Sequence, residues 1–316
     1  MTRKRIVIGT RGSELALWQS HHVKSSLENL SPSLIVELRI IKTLGDKILD
    51  SPLSAIGDKS LFTKELDGAL LDKTVDLAVH SLKDVPTLLP DGLTIAAVSK
   101  REDVHDVFVA GPATAVKSLR DLPDGAKIAT GSLRRKCQLL LFRRDLQIVD
   151  LRGNLNTRLK KLDASDWAGM ILAKAGVNRL GWEHRVTETL SVELMLPAVG
   201  QGALAIQTRT EDTEVKELVR HLHHPETACA VAGERSLLRR LEGGCQVPIG
   251  TFGRLEEGVF RLDAMIGSLD GRRVIRDSIS GDPKSAERLG MELADRLVAQ
   301  GGKQILDEIR ASGTGL

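Results

Sequence analysis

Two stretches of the sequence, IGTRGSELAL (residues 8–17) and IATGSLRRKC (128–137), run alike. Each is a short apolar run that reaches a threonine, then Gly-Ser, then a segment with helical spacing. They read either as the openings of two related lobes or as two uses of a common turn, since Gly-Ser readily reverses a chain and caps a helix.

The residues around each stretch repeat the alternation. In the first hundred positions RIVIG (5–9), VELRIIK (36–42), DLAVH (76–80) and TIAAVS (94–99) read as strands. Between them Leu15, Trp18, Val23, Leu27 and Leu30 follow a Ser13 cap at helical spacing, as do Phe62, Leu66, Ala69 and Leu70. Residues 101–126 read as a break, with the loop-rich AGPATA and DLPDG. Beyond it KIAT (127–130), QIVDL (147–151) and GMILA (169–173) alternate with helices through Leu133–Arg143 and through Leu155, Leu159 and Leu162. Such alternation predicts α/β units with mostly parallel sheets. From about residue 225 a helix (226–241), a Gly243-Gly244 turn, three strand candidates (248–254, 259–267, 272–280) and a helix (285–299) predict a small α+β domain.

Bulk properties agree with several domains. A length of 316 residues exceeds one ordinary core, and 41% hydrophobic with 28% charged residues is the balance of a globular protein. No apolar run is long enough to span a bilayer, and MTRKRIVIGT leads into a strand pattern instead of a signal peptide, so the expectation is a cytoplasmic protein with no membrane partner. With 45 basic against 42 acidic residues, 3% aromatics and no tyrosine, nucleic acid is not an expected partner. The three cysteines form no CxxC pair, which argues against a disulfide framework or a cysteine metal site.

Several residue types converge on anion chemistry. Arg11, Arg134 and Arg135 lie at strand-to-helix junctions, where free backbone N–H groups favour anions; Arg152 follows a strand, Arg158 is about two turns on, and Arg179 lies in KAGVNRLG. Guanidinium groups grip carboxylates in a two-bond fork, although lone surface arginines more often form solvated ion pairs. Lys83 and Asp84 follow the strand DLAVH; the carboxylate there could act as acid and base, or the two could be a structural loop pair. Cys245 follows two glycines and reads as a loop thiol, whereas Cys137 and Cys229 read as small buried hydrophobes. GQGALA (200–205) matches a dinucleotide fingerprint but leads into a strand; GDKS (57–60) lacks phosphate-loop spacing and HLHH (221–224) lacks further metal ligands. Neither nucleotide nor metal is expected.

TRGSELALWQ, KSLFTKELD, HSLKDVPT, GSLRRKCQL, LRGNLNTRL, ILAKAGVNRLG, PAVGQGALAI and RLEGGCQVPIG, in this order and spacing, resemble the porphobilinogen deaminase family from about residue 5 to 310. The resemblance implies two lobes of the periplasmic-binding-protein type with a cleft between them, plus a small α+β domain. Residues 1–100 and 198–220 would form the first lobe, 101–197 the second, and 221–316 the C-terminal domain bearing the cysteine loop.

It further implies a monomeric, metal-free enzyme that joins porphobilinogen units, with loss of ammonia, onto a dipyrromethane cofactor held by a thioether to Cys245, and then releases hydroxymethylbilane by hydrolysis. Asp84 would be the catalytic acid-base group. Arg11, Ser13, Lys83, Ser132, Arg134, Arg135, Arg152, Arg158 and Arg179 would hold the acetate and propionate groups of cofactor and substrate. Lys59 and Phe62 would belong to an active-site loop. Two other readings compete: a non-catalytic ligand-sensing protein of the same two-lobed fold, and a Schiff-base enzyme using Lys83.

Overall fold

A computed structural model of the protein describes residues 4–47, 61–112, 114–242 and 247–311. In chain order the elements are β1 (Arg5–Thr10), α1 (Glu14–Leu30), β2 (Ile35–Ile40), α2 (Leu44–Lys47), α3 (Lys64–Leu71), β3 (Leu77–Ser81) and β4 (Leu93–Val98). Then come β5 (Asp106–Ala110), β6 (Lys127–Ala129), α4 (Leu133–Phe142), β7 (Gln147–Val149), α5 (Leu155–Asp163), β8 (Gly169–Ala173), α6 (Lys174–Arg179) and β9 (Glu188–Leu190). The chain continues with β10 (Leu204–Arg209), α7 (Thr213–Val219), α8 (Pro225–Arg240), β11 (Ile249–Glu256), β12 (Val259–Gly267), β13 (Val274–Gly281), α9 (Ala286–Leu297) and α10 (Lys303–Ala311).

The described residues fall into two compact units. One takes the chain up to Glu102 together with Gly200–Ala228; the other takes Asp103–Val199 and the chain from Cys229 onward. The first unit is built on a five-stranded sheet of order β2-β1-β3-β10-β4, and the second contains one of order β7-β6-β8-β5-β9. These are the same topology. In each, the strand that opens with the Gly-Ser stretch lies second, parallel to both neighbours, and a single antiparallel strand is wedged between the last two. The likeness of residues 8–17 to 128–137 is therefore structural: β1 runs into α1 through a Ser13 cap, and β6 into α4 through a Ser132 cap.

The wedged strands are where the chain re-enters each unit. β10 comes back into the first sheet after the whole second one, and β5 is the first strand after residue 102. β5 corrects the reading of 101–126 as a break: DVFVA is a buried central strand, pairing with β8 on one side and β9 on the other. Its short apolar run, flanked by charges and a Gly-Pro, carries no alternation to separate it from a loop. Apolar side chains fill the first sheet's faces, among them Ile6, Ile8, Leu77, Leu204 and Ile206, all at most 2% exposed.

The second unit also holds an antiparallel sheet, β11-β12-β13, covered by α9 and α10, whose core includes Phe260, Leu262, Leu293 and Leu297. It is tied to the five-stranded part by Cys137, Leu196 and Met265, which form one buried cluster, and by Arg276, which donates to the carbonyls of Glu193 and Val192. Cys137 is the buried hydrophobe expected, and burial pushes its thiol up to about 12.

Candidate functional site

In the first unit, two neighbouring parallel strands end side by side. β1 and β3 pair through Ile8–Leu77 and Gly9–Ala78, so the residues that follow them emerge at the same edge of the sheet. Arg11 follows β1 and lies with its guanidinium carbon 4.3 Å from the centre of the Phe62 ring. Ser13 caps α1, its Oγ accepting from Ala16 N at 3.3 Å. Such a cap is worth about 1 kcal/mol, and a helix start of this kind favours an anion.

After β3 the chain makes a tight 3-10 turn, Leu82–Asp84, in which Val85 N returns to Leu82 O at 3.1 Å. Lys83 and Asp84 are half-buried on it. The turn is held from beneath by GQGALA: Leu82 N donates to Ala203 O at 3.0 Å, and Gly200 lies so close that a Cβ there would meet Leu82 Cγ at 2.9 Å. Gly202 has φ +91, and a Cβ on it would lie 2.4 Å from Glu102 O. These glycines serve close backbone approach, which accounts for the nucleotide-like pattern without any phosphate. Ser81 at the end of β3 accepts from Gln19 Nε2 at 2.8 Å.

The second unit repeats the arrangement with different side chains. Ser132 Oγ accepts from Arg135 N at 3.4 Å at the start of α4. Arg134 and Arg135, each 5% exposed, converge on Asp106 at the start of β5, which is fully buried. Arg134 Nη1 donates to Asp106 Oδ2 at 2.7 Å and to Leu196 O at 2.5 Å. Arg135 donates through Nη2 to Asp106 Oδ1 at 2.7 Å and through Nη1 to Ile171 O at 2.9 Å. Burial alone would raise the Asp106 carboxyl, but the two guanidiniums prevail and hold it far below the usual carboxylate range. Both arginines thus serve a buried ion triad that the sequence did not reveal. Arg134 Nε is buried with no acceptor among the described residues, so one N–H remains to be satisfied.

Arg152, Arg158 and Arg179 are half-buried: Arg152 between β7 and α5, Arg158 in the first half of α5 and Arg179 at the end of α6. Arg152 Nε lies 3.4 Å from Asp150 Oδ2; Arg158 Nε donates to Gly153 O at 2.8 Å; Arg179 is the last residue of α6. Asn154 caps α5, accepting from Thr157 N at 2.9 Å, which explains the helix start within LRGNLNTRL. A further cluster went unread in REDVHD: Asp103 accepts from His105 Nδ1 at 2.6 Å and pairs with Lys174 at 2.8 Å. Cys245 and Lys59 lie outside the described residues. Among the described residues no group of His, Cys, Asp and Glu is arranged to hold a metal, and no helix is long and apolar enough to cross a membrane.

Residues 6–217 match the family model described as porphobilinogen deaminase, dipyromethane cofactor binding domain, and residues 228–299, which include position 245, match the porphobilinogen deaminase C-terminal domain. Curated relatives named porphobilinogen deaminase are similar over nearly the whole chain. That of Chloroherpeton thalassium is 50% identical over 312 residues, covering 98% of each chain. That of Chlorobaculum parvum is 51% identical over 311 residues, 98% of this chain and 99% of the relative. That of Desulfitobacterium hafniense is 52% identical over 305 residues, 96% and 97%. Among solved structures, the chain is similar to the periplasmic aliphatic sulphonate binding protein SsuA from Escherichia coli, at 14% identity and TM-score 0.39 over 76% of this chain and 71% of that one.

Proposed function

Since the chain belongs to the porphobilinogen deaminase family, we propose that Asp84 is its catalytic acid-base group, Cys245 the attachment point of its dipyrromethane, and Arg11, Lys83, Arg152, Arg158 and Arg179 the main grip on acidic side chains. The activity itself is the family's: a transferase that condenses porphobilinogen, with loss of ammonia, and releases hydroxymethylbilane.

The donor set suits the cofactor. A dipyrromethane carries acetate and propionate carboxylates, which need charge-assisted donors, and pyrrole N–H groups, which need an acceptor anion. In the first unit Arg11, Lys83 and the carboxyl-bearing Asp84 are half-buried; in the second Arg152, Arg158 and Arg179 are half-buried and Arg134 Nε is a buried N–H in want of an acceptor. When bound, the dipyrromethane supplies the terminal pyrrole carbon to which each incoming ring is joined.

The observation that carries the reading is the shared strand edge: Arg11 and Asp84 follow adjacent parallel strands, so a guanidinium and a carboxylate are offered together where a pyrrole bearing an acidic arm would present its N–H. Asp84 would donate a proton to the departing amine, stand as counter-charge to the substrate cation that remains, and take up the proton released when aromaticity is restored. At about 4 Å such a charge pair is worth about 1 kcal/mol in water and about 4 kcal/mol where the effective dielectric is ~20. Ser13 and Ser132 would fix the helix starts whose N–H groups meet carboxylates, and Lys59 and Phe62 would cover the reacting end. The reading is of a monomeric, metal-free, cytoplasmic enzyme.

Acidic Ehrlich's reagent tests the attachment. Purified protein should turn red from a covalently held dipyrrole, and Cys245→Ser should remain colourless. Colour that persists in the variant would mean that another residue holds the group.

A further inference from the structure

Beneath the Leu82–Asp84 turn, the first sheet buries three polar side chains to which the proposed chemistry gives no task. Asp67 on α3 is 5% exposed, Gln207 on β10 is 0% exposed and His80 on β3 is 5% exposed. β10 and β3 are antiparallel with Ala205 opposite His80 and Gln207 opposite Ala78, so His80 and Gln207 are diagonal neighbours on one face. They form a chain. Gln207 Nε2 donates to Asp67 Oδ1 at 2.7 Å, and His80 Nε2 lies 2.9 Å from Gln207 Oε1.

The chain has a direction. Burial pushes the Asp67 carboxyl up, and the hydrogen bond from Gln207 opposes this; because Gln207 Nε2 donates to Asp67 Oδ1, the amide oxygen is turned toward the imidazole. A carbonyl oxygen only accepts, which requires the hydrogen on His80 Nε2 and leaves Nδ1 bare. Burial pushes the ring down to about 4, with Arg11 acting in the same sense and with Gln207 and Asp84 opposing. The other groups at this end do not compete. Gln19 on α1 is uncharged and spends its NH2 on Ser81, while Arg209, farther along β10, is tied to Leu70 O, Val75 O and Asp212.

We infer that burial keeps the His80 imidazole neutral while Asp67 and Gln207 fix its proton on Nε2, and that His80 is thereby a positioning residue, leaving the Asp84 carboxylate as the negative charge for the substrate cation. An imidazolium at this place would be a resident counter-ion for Asp84, and the incoming cation would meet a neutralised pair. This rests on the role proposed for Asp84, which Asp84→Ala tests by itself; the experiments below read the imidazole separately.

Nitrogen-15 NMR of the histidine rings in the full-length holoenzyme, with His80 assigned by difference against His80→Gln, should show a neutral ring protonated on Nε2 from pH 6 to pH 8.5. A ring protonated on Nδ1, or charged in that range, overturns the inference. The functional arm is the charge-neutral swap Asp67→Asn/Gln207→Glu. It moves the one carboxylate next to the imidazole, which should raise the ring's pKa by about 1–3 units and charge it near pH 6. The expected result is a kcat that falls about tenfold between pH 8.5 and pH 6 relative to wild type, with KM little changed. A charged ring with an unaltered kcat profile refutes the positioning role, and a ring still neutral at pH 6 refutes the claim that its state depends on an uncharged neighbour on β10. If the swap does not fold, the wild-type spectrum still decides the tautomer.

Discussion

Replacing Arg135 by leucine should loosen the second unit before it affects any ligand. Arg135 gives Asp106 two donors, Nε at 3.2 Å and Nη2 at 2.7 Å, and Ile171 O one, Nη1 at 2.9 Å. Asp106 is 0% exposed, so water cannot replace them, and Arg134 Nη1 donates to its other oxygen. Removing one partner of a buried ion pair costs about 3–5 kcal/mol, and the leucine's own burial returns about a third of that, so about 3 kcal/mol should be lost. With a urea m-value of about 3 kcal/mol/M, the midpoint should fall by about 1 M, read on Trp167 and Trp182, which pack on this unit's core. The pH dependence gives a second reading. The Asp106 carboxyl is depressed on folding, so its contribution is complete above the unfolded value of about 3.9 and is lost as pH falls from there through the folded value. In Arg135→Leu the acid limb should therefore be shallower below about pH 4. A midpoint within about 0.2 M of wild type, with an unchanged acid limb, would refute the burial argument.

Three further outcomes are expected. Asp84→Ala should keep its fold and its Ehrlich colour but lose turnover by about 10²–10⁴-fold, and turnover within tenfold of wild type would remove Asp84 from the chemistry. Arg179→Leu should leave the urea midpoint within about 0.5 kcal/mol equivalent, yet shift the distribution of chain lengths on the enzyme toward fewer additions by mass spectrometry, because it alters ligand grip and not the core. Gly202→Val should cost about 1–3 kcal/mol, since φ +91 and the 2.4 Å approach to Glu102 O both exclude a Cβ; a midpoint equal to wild type would show that the crossing relaxes freely.

Local chemistry was legible in the sequence because it is written over a few residues. The Ser13 cap, the helical stripe of α1 and the strands flanking Gly-Ser follow from spacing and hydrogen-bonding capacity alone, but whether the two Gly-Ser stretches open related lobes stayed open until the shared sheet order answered it. Motif order named the family. What the spacing could not supply was the pairing of distant residues. β5 looked like part of a loop because its partners, β8 and β9, lie more than sixty positions along the chain. β10 reads as a strand, yet only the folded sheet puts Gln207 beside His80 and Asp67. The arginines show the same division: their positions after strands would suit an acidic ligand or solvated ion pairs, but only the tertiary structure diverts Arg134 and Arg135 onto the buried Asp106. Sequence determines which groups a segment can offer. Which of them are consumed inside the fold depends on what burial brings opposite, because a desolvated charge must be met by its partner wherever along the chain that partner lies.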